Sequence, residues 1–234
     1  MKSKHNKLEF NGFHKDTISF LKNNRKKNDK KWFEENRMKY EEYVLTPFRN
    51  LVSGLSGTML EIDPKIETSP NINKTITKMY RDTRFSKDKS LFKKNMWLVF
   101  KRNGKQWQDY PGFFFEIMSD DNMYRYGMGF YRASRDTMDR FRDQLEANPG
   151  AFKKVIAPFV RGKAFDLAGE EYKRSLSGDI PDWLQEWYQK KSFYLVQYRH
   201  PDSLLLSSRL AKYLNEQFLL LKPLYKFLQN IIDR

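Results

Sequence analysis

No cysteine occurs in this chain, which excludes disulfides, thiolate-held metals and a cysteine nucleophile together. Histidine is scarce. His5, His14 and His200 are the only three, and their spacing matches no zinc site. Apolar runs such as Phe218 to Leu221 are far too short to cross a bilayer, and the opening Met-Lys-Ser-Lys-His-Asn-Lys leads into no apolar stretch of signal-peptide length. A soluble, cytoplasmic protein with no membrane partner is therefore expected. There is no P-loop and no nucleophile elbow, and Gly127 and Gly129 lack the spacing and strand-turn-helix setting of a dinucleotide fingerprint. The expectation is that the chain uses no cofactor and no metal. Internal repeats, low-complexity tracts and Pro, Gly or Ser linkers are also missing, so residues 1–234 read as a single domain, frayed over 1–12, with the oligomeric state left open.

What is present is aromatic and basic. With 19 Phe, 13 Tyr and 5 Trp in 234 residues, ample area exists for a buried core despite the polar average. The formal charge of +15 favours encounter with anions, and the partners it admits are an anionic small molecule or a nucleic acid. Many cations cluster early, at Lys22, Arg25, Lys26, Lys27, Lys30 and Lys31, where a solvated helix face is the simplest reading.

Periodicity predicts an α+β fold. Helical spacing covers Phe13, Phe20 and Leu21, then Phe33, Tyr40, Val44, Phe48, Leu51, Val52 and Leu55. Thr46 before Pro47 predicts a kink or restart with Thr46 as N-cap, and Ser53 to Gly57 predicts the helix end. Strand-like segments follow at Thr75–Tyr80, Met96–Lys101, Phe113–Met118 and Met123–Phe130, with the polar link Ser119-Asp120-Asp121-Asn122 suited to an antiparallel hairpin. Helices capped by Ser134 and Asn148, a helix over Pro181–Lys190, a strand over Phe193–Tyr198 and a long helix from Leu210 to Ile231 complete the reading. The expected architecture is a mainly antiparallel sheet from the middle of the chain, packed by N-terminal and C-terminal helices.

The densest chemistry lies between Arg81 and Lys94, and its candidate ligand-binding residues are Arg81, Asp82, Arg84, Ser86, Lys87, Lys89 and Lys93. Guanidinium forks suit phosphate or carboxylate, so Arg81 and Arg84 are the expected principal donors if they converge. Lys87, Lys89 and Lys93 read as a mobile basic rim. Two other readings stand beside this one. An Arg-Asp network can simply pin the loop, or the segment can serve an enzyme acting on a small phosphorylated or carboxylated substrate, with Asp82 or Asp88 as acid, base or metal ligand. Thr83 and Ser86 are expected to shape the local turn. Tyr80, Phe85, Phe92, Trp97 and Trp107 interleave with cations as base-stacking platforms do, although core packing accounts for most such rings. Gly127 and Gly129 clear one strand face for a ligand or, as the preferred reading, for a packed helix.

Trp32-Phe33-x-x-Asn36-Arg37-x-x-Tyr40 followed by Tyr80-Arg81-Asp82-Thr83-Arg84-Phe85-Ser86-Lys87-Asp88-Lys89 resembles the conserved hypothetical proteins of domain of unknown function family 2461. Gly127-x-Gly129-Phe130-Tyr131, Phe141-Arg142, Trp183-Leu184 and Lys191-Ser192-Phe193 extend the likeness over nearly the whole chain. The resemblance implies a bacterial-type soluble domain of mixed α and β structure and transfers no activity. Where the family commonly has Pro-Tyr-Lys after the Asp-Lys pair, this chain has Leu91-Phe92-Lys93. In place of Pro-Lys-Gly near Arg174 it carries Ser175-Leu176-Ser177-Gly178.

Overall fold

The computed structural model describes residues 9–104 and 107–233. His5, and the expected fraying as far as residue 8, lie outside the described residues. The chain begins helically. Helix α1 (Thr17–Lys27) ends on Asn28 in the left-handed region at φ 50°, a conformation asparagine tolerates better than most residues. Asp29 then caps α2 (Lys30–Glu35) by accepting from the Trp32 N–H.

Helix α3 (Arg37–Tyr40) passes through a π-helical turn, Glu41–Leu45, into α4 (Thr46–Ile62). This corrects the expected restart at Pro47, because Thr46 has helical dihedrals and caps nothing. Proline lacks an N–H and orphans the carbonyl four residues before it. Here that carbonyl belongs to Tyr43, and the buried Thr17 hydroxyl donates to it at 2.6 Å. The expected break at Ser53–Gly57 is absent as well. Helix α4 continues because Gly54 lies against another helix, where a Cβ would sit 3.4 Å from that of Ala211, and its carbonyl accepts from Asn215. Gly57 faces open space, with nothing within 4 Å of where a Cβ would stand. Gly57→Ala should therefore raise stability by about 0.5–1 kcal/mol in urea unfolding, through helix propensity alone.

The sheet has five antiparallel strands in the order β1-β2-β3-β5-β4. They are β1 (Asn95–Phe100), β2 (Pro111–Met118), β3 (Met123–Phe130), β4 (Asp166–Ala168) and β5 (Tyr194–Arg199). With helices at both ends of the chain, this is the expected α+β class. In β1 the alternation predicted from sequence holds, with Met96, Leu98 and Phe100 fully buried and Asn95, Trp97 and Val99 on the half-exposed side. Thr75–Tyr80 is not a strand. It makes isolated bridges, from Ile76 to Ile72 and Leu98 and from Tyr80 to Phe92.

Helices α5 (Arg135–Ala147) and α6 (Pro149–Val160) start as predicted, with Ser134 accepting from Thr137 N–H and Asn148 from Ala151 N–H. The helix expected over Pro181–Lys190 shrinks to a 3-10 turn, Asp182–Leu184, and the short α7 (Gln185–Tyr188). Helix α8 (Arg209–Ile232) carries Pro223 in its interior.

Two compact units organise these elements, each assembled from several stretches of chain. The first comprises residues 1–99, 115–125 and 198–215. Its core includes Phe13 with Phe48 at 5.0 Å and Phe115 at 5.4 Å. In the second, residues 100–114, 126–197 and 216–234, Phe113 meets Phe218 and Tyr225, while Phe141, Phe152, Trp187 and Phe193 form another cluster. Burying each such ring contributes about 2 kcal/mol before entropy is counted.

Gly127 and Gly129 do not make room for a helix. A Cβ on Gly127 would lie 1.8 Å from the Leu195 carbonyl oxygen, and one on Gly129 2.3 Å from Tyr194 Cα, so the space cleared is taken by β5 itself.

Candidate functional site

The Arg81–Lys94 segment is a loop closed at its base by a short antiparallel pairing. Arg81 N–H donates to the Leu91 carbonyl at 2.8 Å and Lys93 N–H to the Met79 carbonyl at 2.9 Å, on either side of the Tyr80–Phe92 bridge. Beneath it, Phe33, Tyr80 and Phe92 form a ring cluster with centroids 4.9–5.6 Å apart. Phe92 is fully buried and is core, not a stacking platform.

Helix α1 anchors the loop from one side. Leu91 N–H donates to the Asn28 side-chain oxygen at 2.7 Å, and Arg25 donates to the Phe92 carbonyl at 3.0 Å and to Asp88 at 2.6 Å. Arg25 therefore leaves the solvated face to which sequence assigned it. Asp88 also holds Arg81 at 3.3 Å and accepts from Ser90 through both its N–H and its hydroxyl. Those Ser90 bonds, followed by the Arg25 guanidinium, hold the Asp88 carboxyl well below the usual carboxylate range.

The two arginines do not converge on one point. Arg81 turns to Ser86 Oγ at 3.1 Å and to Asp88. Arg84 forks onto Asp82, Nε at 3.0 Å and Nη2 at 2.7 Å, and stays exposed. That fork is the first cause of the low Asp82 pKa. Both carboxylates are thus held in the ionised form by their hydrogen-bond and charge partners. Among the described residues no cluster of three His, Cys, Asp or Glu side chains comes together.

Ser86 N–H bonds the Thr83 carbonyl through the backbone, whereas the Ser86 hydroxyl meets Arg81, and Lys89 Nζ reaches the Thr83 carbonyl at 2.9 Å. Lys87 is exposed. Phe85 is 97% exposed at the tip, with the Arg84 guanidinium 5.8 Å from its ring centroid.

Lys93 departs most from the sequence reading. Far from being a mobile rim, its ammonium is half-buried, donates to the Thr77 hydroxyl and lies 4.2 Å from the centroid of the Trp97 ring. Thr77 is placed by its own N–H, bonded to the Trp97 carbonyl at 3.0 Å. Burial, and then the like charges of Lys78 and Arg81, lower the Lys93 pKa from 10.5 to about 8. The indole face opposes this by about 1 kcal/mol, which offsets less than one pH unit, so burial and repulsion prevail. No carboxylate pairs with Lys93 among the described residues.

The sequence profile of the family described as "Conserved hypothetical protein (DUF2461)" matches residues 16–227. The chain belongs to that family. Comparison with curated proteins and with solved structures finds no match. In this DUF2461 protein the matched span includes the whole loop and the ring cluster beneath it. Arg25, Asn28, Thr77 and Lys78 were missed as site residues. None of the four carried a sequence signal, and Lys78 is exposed although its neighbours Ile76 and Met79 are buried. No helix among the described residues is long and apolar enough to cross a membrane.

Proposed function

We propose that this protein binds a phosphate-bearing or otherwise anionic ligand at the base of the Arg81–Lys94 loop, through Lys93, Arg81 and Lys78. One observation carries this reading: a half-buried ammonium met by a hydroxyl and a ring, repelled by the charges of Lys78 and Arg81 and itself paired with no carboxylate among the described residues. Such a cluster is costly when empty and is relieved by an anion. Asp88 offsets part of the charge, but it is shared between Arg25 and Arg81. Arg84, Lys87 and Lys89 are the outer contacts of this reading, with Arg84 weakened as a donor by its fork on Asp82. A phosphorylated ligand and a chain without cysteine both fit a cytoplasmic setting.

Calorimetric titration with pyrophosphate tests the proposal. Lys93→Gln should weaken binding at least tenfold, roughly the loss of one charge-assisted contact, while Arg84→Ala should change it much less. Equal affinity in wild type and Lys93→Gln would sink the reading.

The pH dependence has a definite sign. The unfolded chain keeps the Lys93 proton up to about 10.5, whereas the folded chain releases it near 8. Between these values the unfolded state binds more protons, so the Lys93 contribution to stability rises with pH across that window. Subtracting the urea stability profile of Lys93→Gln from that of wild type should isolate the rise. At pH 8, anion binding should be accompanied by proton uptake, because the anion favours charged Lys93. Titrations in buffers of different ionisation enthalpy would register it.

A further inference from the structure

Three side chains of the second unit meet in an arrangement that its core does not require. The Lys101 ammonium lies over the Trp107 ring, 3.3 Å from its centroid, and the Tyr131 ring leans on the same indole at 5.2 Å with 38° between the planes. Tyr131 is 73% exposed and Trp107 half-exposed. We propose that this pair of rings is a stacking platform for an unpaired base of a single-stranded nucleic acid, with Arg132 and Arg135 as contacts to its phosphates.

The local fold sets the platform in place before any ligand arrives. Trp107 opens a 3-10 turn, Trp107–Asp109, and the Asp109 carboxylate accepts from the Ser134 N–H and the Thr137 hydroxyl, which ties that turn to the start of α5. Tyr131 follows the end of β3, where Phe130 N–H bonds the Phe193 carbonyl at 2.9 Å, and two residues further on Ala133 N–H donates to Ser192 Oγ at 3.1 Å. The backbone is thus held on both sides of Tyr131 while most of its ring stays open to solvent. Little ordering is left to the binding event, and ordering is the cost that weakens contacts made by mobile side chains.

Charge and ring chemistry select the occupant. Arg132 is exposed and pairs with no carboxylate among the described residues, and exposed Arg135 meets Asp139 at 3.5 Å, a surface pair that a phosphate can replace. Of the neighbouring acids, Asp109 is engaged within the fold and Asp136 is exposed on α5. An aromatic ring accepts any base, because every base has a π face, and cations beside it track the backbone. In a duplex those faces are already stacked on one another, which is why the occupant is single-stranded. A lipid surface fits less well, since the ammonium lying on the indole would have to enter the apolar layer with it. None of these residues belongs to the Arg81–Lys94 loop, so the assignment does not rest on the anion site proposed there.

Fluorescence anisotropy with a labelled oligothymidylate about a dozen nucleotides long, beside an abasic chain of equal length, tests the platform. Wild type should bind the oligothymidylate about tenfold more tightly than the abasic chain, the effect of stacking one base. Tyr131→Ala should erase that preference by weakening the oligothymidylate alone, with the slope of log affinity against log salt unchanged, whereas Tyr131→Phe should keep it. Arg132→Gln should weaken both chains and make the slope shallower by about 0.7, the share of one phosphate contact. Lys93→Gln should leave the preference for bases intact, so the two sites stand or fall separately. Binding neither chain, or both equally, overturns the platform, as does a preference that survives Tyr131→Ala. Unchanged slopes in both Arg132→Gln and Arg135→Gln overturn the phosphate contacts.

Discussion

Gly127→Ala should cost this protein at least about 3 kcal/mol or prevent it from folding, because the added methyl group has nowhere to go. Its position would be 1.8 Å from the Leu195 carbonyl oxygen, 2.9 Å from the Leu195 carbonyl carbon and 3.1 Å from Phe114 Cζ. The phenyl ring can rotate away, but the carbonyl belongs to the backbone of β5 and can move only if the strand moves. Gly129→Ala should behave similarly, against Tyr194 Cα at 2.3 Å. Urea unfolding followed by circular dichroism checks both. A folded Gly127→Ala protein with an unchanged midpoint would show that β5 does not pack against β3 at this position. The contrast with Gly57→Ala, expected to stabilise, separates a steric role for glycine from its conformational cost.

Arg142→Leu should cost about 3 kcal/mol, the range found when a buried charged hydrogen-bond partner is removed. Arg142 lies within α5 and is only 4% exposed. Its guanidinium donates to the Tyr188 carbonyl at 2.9 Å, the Lys190 carbonyl at 2.7 Å and Asp139 at 2.7 Å. The segment it holds is the one where an expected helix gave way to the short α7. Those carbonyls therefore depend on a side chain rather than on a helical ladder. Leucine keeps much of the apolar volume but donates nothing, so the loss reads out the hydrogen bonds more than the packing. Arg135→Ala, on the same helix but 85% exposed, should stay within about 0.5 kcal/mol of wild type in the same denaturation experiment.

These residues also explain what the strings that carry the resemblance do in this chain. Gly127 and Gly129 admit a neighbouring strand, Phe141 packs on Phe152 and Phe193, and Arg142 ties down 188–190. Phe33 and Tyr80 support the base of the loop through Phe92. Their work is architectural. Beyond it, Lys93 carries a charge that no carboxylate among the described residues pairs, beside an Arg81 that Asp88 holds.

Period and composition alone settled the α+β class, the alternation of β1, the β2–β3 hairpin around Ser119–Asn122 and the capped starts of α5 and α6. All of these depend on residues close together in the chain, where spacing and side-chain chemistry act directly on the local backbone. Tertiary structure decided the rest. Helix α4 runs through Gly54 because Ala211 packs there, and β4 exists as three residues paired with β5, too short to show a pattern. Arg25 became an anchor because Asp88, 63 positions later, came within 2.6 Å. Lys93 changed from a rim charge to a half-buried amine because Trp97 and Thr77 meet it in space. An ionisable side chain takes its behaviour from burial and from nearby charge, and both are properties of the folded arrangement that the order of residues does not display.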